Sequence, residues 1–306
     1  MRIAVVGTGA MGSIYAALLA AAGNDVLVVD AWAEHVAAIQ THGLRVEGAS
    51  GDRRVRVEAL TDVTGQAPVD LVVIATKAMD VRAAATTARS LVGADTLVLP
   101  IQNGLGSADV VAEVLGDEAV LIGVAEGFGA SLVGPGHAHH HGMALVRLGE
   151  RRGPRTERVE RLAVLWRAAG FAVETYDDVD RLVWQKLVCN VSFSGTCALL
   201  DLTIGEVLAD PDAWYVASSC GSEAHAVALA SGVDVQIDDP IAYVAAFGAR
   251  ISGARPSLAL DLRAGRPTEI DVLNGAVAAR AAAVGVDAPV NATVAALVRA
   301  RERAPL

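Results

Sequence analysis

The sequence lacks paired cysteine motifs, a long apolar run and a cluster of basic residues. Disulfide-bonded, membrane-spanning and nucleic-acid-binding proteins, respectively, need these features. Its three cysteines, Cys189, Cys197 and Cys220, form no C-x-x-C pair, and their odd number indicates reduced, buried thiols in a cytoplasmic protein. Charges or glycines interrupt every apolar run before it reaches the length of a membrane span, and the first residues lack the pattern of a signal peptide. A net charge of -10, without a cluster of arginine or lysine, argues against a nucleic-acid partner.

The apolar content nevertheless suffices for a large folded protein. With 53% hydrophobic and 20% charged residues, the composition is that of a globular protein. A chain of 306 residues is long for one hydrophobic core, so we expect two domains. The acidic, polar segment 176–180 marks the expected boundary, which gives domains of residues 1–177 and 178–306.

The first thirty residues predict a dinucleotide-binding unit. An apolar strand from Arg2 to Val6 is followed at once by a G-x-G-x-x-G turn and an alanine-rich helix, and a second strand ends at Asp30. The first glycine of such a turn permits the tight bend, the second lets the backbone approach a diphosphate, and the third lets helix and strand pack closely. An acid at the position of Asp30 binds the adenosine ribose and repels a 2′-phosphate. The predicted loop residues are Gly7, Thr8, Gly9, Ala10, Met11 and Gly12.

The alternation of strands and helices continues and predicts an α/β fold with a parallel, doubly wound sheet. Continuous apolar strands at residues 69–75, 96–99 and 119–124 are typical of a sheet that is covered on both faces. Lys77 and Asn103 follow two of these strands. We therefore expect both side chains beyond the carboxyl ends of the strands, where ligands bind in open sheets.

Two regions depart from this alternation. Residues 127–150 predict an antiparallel hairpin that is added to the sheet edge. After the domain boundary strand signals almost vanish, and helical periodicity predicts an all-helical second domain, so that a substrate would bind in a cleft between it and the Rossmann domain. The predicted helices cover residues 181–200, 212–230, 240–252, 270–284 and 290–303.

Short motifs of polar residues and glycine occur along both predicted domains. They are GTGAMG at residues 7–12, Thr76-Lys77-Ala78, Gln102-Asn103-Gly104, Trp184-Gln185-Lys186-Leu187 with Asn190, Ser257, and Thr268-Glu269-Ile270-Asp271 with Asn274-Gly275. In this order, and over nearly the whole chain, they resemble the ketopantoate reductase family, the 2-dehydropantoate 2-reductases.

The resemblance implies hydride transfer from a reduced nicotinamide cofactor to the C2 ketone of a 2-oxo acid. The leading substrate is 2-dehydropantoate, with (R)-pantoate as the product. The catalytic residues that the resemblance implies are Lys186, Glu269 and Asn103. Lys77 joins Asn103 and Glu269 as a cofactor-binding residue. Asn190, Ser194 and Ser257 are the implied substrate-binding residues.

The chemistry of ketone reduction gives Lys186 a physical role. Hydride arrival leaves negative charge on the ketone oxygen, so a proton donor must stand within hydrogen-bond reach of it. A lysine ammonium donates a proton and its charge stabilises the developing alkoxide. Its apolar neighbours in LVWQKLVCNV favour a partly buried lysine, and Asn190 follows at i+4 on the same helix face.

Two departures from the family pattern leave alternatives open. Family members that use NADPH typically carry an arginine shortly after the second strand, whereas this chain has Asp30-Ala31-Trp32, which favours NAD(H) over the family's usual NADP(H). Ser194 stands where the family often has a further substrate-binding asparagine. Both departures suit an NAD-dependent D-2-hydroxyacid dehydrogenase on the same scaffold. A dinucleotide-binding sensor without turnover is a third reading, against which Lys186, Asn190 and Glu269 argue.

Two further features have no assigned role in this reaction. Alternating histidines of the cluster His137, His139, His140 and His141 would share one strand face, but no carboxylate or cysteine lies nearby in sequence. We interpret the cluster as an edge strand or a subunit contact and expect no metal site. The alanine-rich C-terminal helices suit a homodimer interface and a packed core equally.

Overall fold

The computed structural model describes residues 1–142 and 144–303, which form two compact units. Residues 1–102 and 107–179 make up the α/β unit, and residues 103–106 together with the chain from 180 onward make up the helical unit. The short loop 103–106 thus groups with the helical unit, although it follows a strand of the α/β unit. The functional division into a dinucleotide domain, residues 1–177, and a substrate domain, residues 178–306, stays a prediction.

The described residues contain twelve strands, all in the α/β unit. They are β1 (Arg2–Val6), β2 (Asp25–Val29), β3 (Leu44–Gly48), β4 (Arg53–Val55), β5 (Glu58–Leu60), β6 (Leu71–Ile74), β7 (Leu97–Pro100), β8 (Leu121–Glu126), β9 (Gly129–Gly134), β10 (His137–Gly142), β11 (Leu145–Glu150) and β12 (Val173–Tyr176). Twelve α-helices accompany them. They are α1 (Ala10–Ala21), α2 (Ala33–His42), α3 (Val81–Ala88), α4 (Ser107–Leu115), α5 (Glu157–Ala168), α6 (Val179–Leu200), α7 (Ile204–Ala209), α8 (Pro211–Ala230), α9 (Pro240–Arg250), α10 (Ser257–Arg263), α11 (Asn274–Val284) and α12 (Pro289–Arg303). Within the described chain, no helix combines the length and the apolar character that crossing a membrane requires.

A five-stranded parallel sheet in the order β5-β2-β1-β6-β7 organises the α/β unit. Successive residues of β1 lie in different cores: Ile3 and Val5 pack into one cluster, and Ala4 and Val6 pack into another. Both faces of the sheet are therefore covered, which is why its strands are continuously apolar rather than alternating. The predicted α/β class with a parallel, doubly wound sheet is confirmed.

The prediction that the region 127–150 adds a hairpin to the edge of this sheet is wrong. Strands β9 and β10 do form an antiparallel hairpin, but β10 pairs in parallel with β3, so the hairpin belongs to a separate sheet in the order β4-β3-β10-β9. Strands β8, β11 and β12 form a third sheet. The buried residue Ala138 of β10 pairs with Val46 of β3 in the core that contains α1, so the apolar face of the hairpin is buried against α1 and β3.

The helical unit is built around α6, whose middle is buried. Asn274, at the start of α11, donates from Nδ2 to the carbonyl of Val191 on α6 and to Oδ1 of Asn291 on α12, both at 2.9 Å. Asn291 donates in turn to the carbonyl of Cys220 on α8 at 3.0 Å. Buried amides that donate to one another and to the carbonyls of neighbouring helices in this way fix the register of four packed helices.

Several helices of this unit begin at side-chain caps. Asp210 accepts hydrogen bonds from Asp212 N and Ala213 N at the start of α8, and Asp239 caps α9 in the same manner. The predicted helix 270–284 is broken, because Ile270–Val272 forms a 3₁₀ turn before α11 begins. The short helices α7 and α10 were not predicted from periodicity.

The three cysteines behave as small apolar residues. Cys189, Cys197 and Cys220 are all buried and free of disulfide bonds, as the sequence predicts. Burial raises the pKa of Cys197 and of Cys220 to about 12, so these two thiols stay protonated at neutral pH.

Two buried histidines make the stability of the α/β unit depend on pH. Burial lowers the pKa of His35 and of His140 below the ordinary value, which is 6.5. The unfolded chain therefore binds more protons than the folded chain once the pH falls below that value. We expect the free energy of unfolding to fall by up to about 1.4 kcal/mol per pH unit for each histidine, from near pH 6.5 down to the lowered pKa.

Replacement of His140 by phenylalanine isolates this effect, because the new ring can keep the stacking against Phe128. Denaturant unfolding between pH 7.5 and 5 should show a shallower loss of stability for His140→Phe than for the wild type. His42→Gln, at an exposed position, is the control and should follow the wild type. Parallel profiles for the wild type and His140→Phe would contradict the prediction.

Candidate active site

Two of the three glycines in the loop after β1 have a steric reason to be glycine. Gly7 has φ +88°, and a Cβ there would lie 2.6 Å from the backbone nitrogen of Thr76. A Cβ on Gly12 would overlap the carbonyl oxygen of Gly7. A Cβ on Gly9, in contrast, would meet nothing within 4 Å, so the space above Gly9 is open to a ligand that approaches the backbone.

Asp30 is fastened to this loop. Its Oδ2 accepts a hydrogen bond from the N–H of Thr8 at 2.7 Å, and its Oδ1 accepts one from the N–H of Trp32 at 2.9 Å. The hydroxyl of Ser13 donates to the carbonyl of Thr8 at 2.9 Å and holds the loop from inside α1. Oδ2 also accepts a hydrogen bond from the Thr8 hydroxyl at 3.3 Å, whereas Oδ1 has lone-pair capacity for a further donor, such as a ribose hydroxyl.

Polar groups follow four neighbouring strands at the same edge of the parallel sheet. Across the order β2-β1-β6-β7, the chain continues into Asp30, Gly7, Thr76 and Gln102. Gln102 donates from Nε2 to the carbonyls of Ile74 at 2.7 Å and of Thr76 at 3.1 Å. Among the described residues, its Oε1 and the hydroxyl of Thr76 are buried atoms without a hydrogen-bond partner.

This edge of the α/β unit fits a dinucleotide. The first N–H groups of α1 lack acceptors within the helix, and within the described residues no side chain caps them. They point positive charge at the open space over Gly9, where a diphosphate is favoured. Lys77, after β6, is an exposed side chain at the same edge.

In the helical unit, Lys186 and Asn103 meet directly. The Lys186 ammonium donates a hydrogen bond to Oδ1 of Asn103 at 2.7 Å. Lys186, Asn190 and Ser194 follow one another at four-residue spacing on α6 and share one helix face. Lys186 and Asn190 are half-buried and Ser194 is buried, so this face is a partly desolvated polar stripe.

The loop that carries Asn103 is anchored to the turn that follows Glu269. The N–H of Leu105 donates to the carbonyl of Val272 at 3.0 Å. Gly104, with φ +81°, presses so closely on that carbonyl that a Cβ would overlap its oxygen. The N–H of Val272 donates to the carbonyl of Glu269 at 3.2 Å, which places the backbone of the Glu269 turn within the same hydrogen-bonded assembly.

Glu269 is a buried acid, with 7% of its surface exposed. The preceding residue, Thr268, donates its N–H to Oε1 of Glu302 on α12 at 2.8 Å. Asp271 pairs with Arg299, also on α12, at 2.6 Å. The C-terminal helix therefore holds the Glu269 segment from both sides. Ser257 begins α10 and is exposed, so its role in substrate binding stays a prediction.

The rarity of lysine in this chain is a compositional signal that points to the site. Of the 25 lysine and arginine residues, only Lys77 and Lys186 are lysine, which leaves 23 arginines. Both lysines fall on positions that the family pattern assigns to the cofactor or to catalysis. Gln102, which the motif contains but to which no role was assigned, has a clear one here, because it ties together the ends of β6 and β7.

The histidine cluster of β10 has an acid beside it after all. Glu47 of β3 approaches His137 Nε2 at 3.2 Å and His139 Nδ1 at 3.6 Å, because β3 and β10 pair in parallel. His140 points into the core. In the part of the chain that the structure describes, no group of three histidine, cysteine or acidic side chains could hold a metal ion.

Comparisons with known proteins agree with this architecture. The family model described as "Ketopantoate reductase PanE/ApbA" matches residues 3–153, and the model of its C-terminal part matches residues 178–302. A 2-dehydropantoate 2-reductase of Streptococcus pyogenes serotype M3 is 31% identical over 303 residues, which is 99% of this chain and 98% of that protein.

Two solved structures show the same fold over the full length. The ternary structure of D-mandelate dehydrogenase with NADH and anilino(oxo)acetate has a TM-score of 0.92 at 29% identity and covers 99% of this chain and 98% of its own. A ketopantoate reductase of Ralstonia eutropha JMP134 has a TM-score of 0.91 at 33% identity and covers 99% of both chains. From both family models and these full-length similarities, the chain belongs to the ketopantoate reductase family.

Proposed function

We propose that this enzyme reduces the C2 ketone of 2-dehydropantoate to (R)-pantoate with a reduced nicotinamide cofactor. The observation that carries the proposal is the Lys186 ammonium, half-buried on α6 and oriented by the Asn103 amide at 2.7 Å. The names of the curated relatives favour this substrate over the alternative of a D-2-hydroxyacid dehydrogenase. The reaction partners are one dinucleotide and one small 2-oxo acid.

Lys186 supplies what the carbonyl oxygen needs during reduction. The bound cofactor supplies the hydride, and the negative charge then develops on the ketone oxygen. The Lys186 ammonium donates to Asn103, and a ketone oxygen placed beside it would accept a hydrogen bond from the ammonium and then its proton. The Asn103 amide fixes the direction of the ammonium and prevents it from extending into water.

The choice of lysine at this position fits proton donation. Arginine keeps its proton at any physiological pH, whereas a lysine ammonium can lose one. Arginine accounts for 23 of the 25 lysine and arginine residues, so the lysine at position 186 is an exception in this chain. A non-catalytic sensor has no need of a cation that can release its proton.

The remaining predicted residues take supporting roles. Asn190 and Ser194 lie on the same face of α6 as Lys186, and we assign them to the hydroxyl groups of the substrate. Ser257 is assigned to the substrate as well. Glu269, buried after Thr268, is assigned to a hydrogen bond with the substrate or with the cofactor ribose. The cytoplasmic location and a homodimer stay predictions from the sequence.

For the cofactor, we infer a preference for NAD(H). The carboxylate of Asp30 is fixed against the glycine loop by Thr8 at 2.7 Å, so it cannot readily turn away from a ribose bound there. A ribose with free hydroxyls can donate to this carboxylate, whereas a 2′-phosphate would be repelled by it. Lys77 is assigned to the cofactor at the same sheet edge.

A substrate panel tests the proposed reaction. Cofactor oxidation should be fastest with 2-dehydropantoate and at least about tenfold slower, in kcat/KM, with pyruvate-like and aromatic 2-oxo acids. A preference for an aromatic 2-oxo acid would support a D-2-hydroxyacid dehydrogenase instead. Cofactor binding without reduction of any 2-oxo acid would support the sensor.

The two lysines provide a matched pair of variants for the mechanism. Lys186→Ala should lower kcat by about 10²- to 10⁴-fold while the Kd for the reduced cofactor stays near the wild-type value. Lys186→Arg should remain impaired, because it restores the charge but not a transferable proton. Lys77→Ala should instead raise the KM for the cofactor. Near-normal turnover by Lys186→Ala would eliminate this residue as the proton donor.

Exchange of the residues after β2 tests the cofactor preference. The double variant Asp30→Ala, Ala31→Arg removes the repulsive carboxylate and adds a phosphate partner, so it should shift the ratio of kcat/KM for NADH and NADPH toward NADPH by about tenfold or more. Asp25→Arg, at the opposite, exposed end of β2, makes the same change in net charge as the double variant and should leave the ratio unchanged. A wild-type enzyme that already prefers NADPH would show that our interpretation of Asp30 is wrong.

A further inference from the structure

Trp32 has an unusual environment for an indole in this chain. It is 40% exposed, whereas Trp166 and Trp184 are buried. It lies two residues after Asp30, and its own N–H donates to Oδ1 of Asp30 at 2.9 Å. The exposed indole is therefore tied through its backbone to the carboxylate that is assigned to the adenosine ribose.

The indole is held in place by a second ring. Trp32 stacks on His35, with ring centroids 5.2 Å apart and an interplanar angle of 17°. His35 is itself buried, at 1% exposure, and its Nδ1 accepts a hydrogen bond from the N–H of Gly136 at 3.0 Å. One face of the indole thus rests on an immobilised imidazole, and the exposure of Trp32 must come from the rest of the ring.

The His35 imidazole is also uncharged at neutral pH. Burial lowers the pKa of His35, an effect that the nearby Asp30 carboxylate only partly offsets. A neutral imidazole gives the indole a flat, apolar support at neutral pH. Solvent exposure of such a preorganised aromatic surface has no benefit for folding, since burial of the ring would be more favourable.

We propose that Trp32 is the adenine subsite of the cofactor pocket and stacks on the base of the bound dinucleotide. The inference rests on the proposed function, because it requires the adenosine ribose to bind Asp30. In that position the base, which is attached to the same sugar, projects onto the surface next to the ribose-binding acid. The residue there is Trp32, which offers an aromatic plane to which every adenine nucleotide can bind.

The proposed subsite predicts that changes at Trp32 affect the binding of ligands that contain adenosine and not of ligands that lack it. Trp32→Ala should weaken the binding of ADP-ribose and of NADH about tenfold, equivalent to about 1.4 kcal/mol. It should leave kcat/KM for reduced nicotinamide mononucleotide, which lacks adenosine, within about twofold of the wild type. Trp32→Phe keeps an aromatic plane and should restore the binding of ADP-ribose to within about threefold. Tyr215→Ala removes an aromatic ring that is 70% exposed on α8 and should change none of these values.

Tryptophan fluorescence gives a readout that does not depend on turnover. ADP-ribose carries no nicotinamide, so a change of emission on its addition reports contact with an indole. The wild type should show such a change and protection from iodide quenching, and Trp32→Phe should lose both while it still binds ADP-ribose in calorimetry.

The outcomes distinguish this proposal from the proposed function. Equal binding of ADP-ribose by the wild type and Trp32→Ala overturns the subsite and leaves the reductase in place. Equal losses for NADH and reduced nicotinamide mononucleotide indicate a general disturbance of the loop and also overturn it. A wild-type protein that binds neither NADH nor ADP-ribose overturns both proposals.

Discussion

The hydrogen bond between the Lys186 ammonium and the Asn103 amide is the interaction on which the proposed chemistry depends. A half-buried cation on an apolar helix needs an acceptor, and the carbonyl groups inside an α-helix are already used by its own hydrogen bonds. Asn103 provides the acceptor from a different segment of the chain. Its loop can do so because Gly104 and Leu105 fasten it to Val272, a contact that a side chain at position 104 would prevent. This contact also explains why residues 103–106 group with the helices rather than with the strand that precedes them.

In the α/β unit, the electrostatic question is how an acidic protein would bind an anionic cofactor. The protein carries a net charge of -10, yet its proposed cofactor is an anion. The first backbone N–H groups of α1, which follow Gly9, favour a diphosphate at this position and add to the charge of Lys77 at the same edge. In the proposed complex, the negative charge of Asp30 lies where NAD(H) has neutral hydroxyls and NADP(H) has a phosphate, so it discriminates between the two cofactors. The proposed stacking of the adenine on Trp32 adds an uncharged contact, which does not depend on the net charge of the protein.

The sequence predicted those parts of the structure that depend on local patterns. The glycine turn, the apolar strands of the parallel sheet and the long helices follow from periodicity within short windows. The pairing of β10 with β3 could not be predicted in this way. The alternation of apolar and polar residues along a strand specifies which face is buried but not which strand is the partner. Glu47 contacts His137, and Gly104 contacts Val272. Both contacts join segments that are distant in the sequence, so local patterns could not predict them. The break before α11 was missed because the polar residues Asp271 and Asn274 also suit a helical start, whereas their partners Arg299 and Asn291 lie on α12.

The use of arginine and lysine shows how composition can report on function when it is read against the structure. Where the fold needs a permanent cation it uses arginine, as at the buried carboxylate of Glu150, which Arg158 contacts through two nitrogens at 2.9 and 2.5 Å. A planar guanidinium suits such a bidentate pair, and it never needs to release its proton. Lys186 instead donates to the neutral amide oxygen of Asn103, which does not need the planar geometry of a guanidinium. A lysine at this position suits the chemistry of an ammonium that can release its proton, and this is the physical reason to propose Lys186 for the proton transfer.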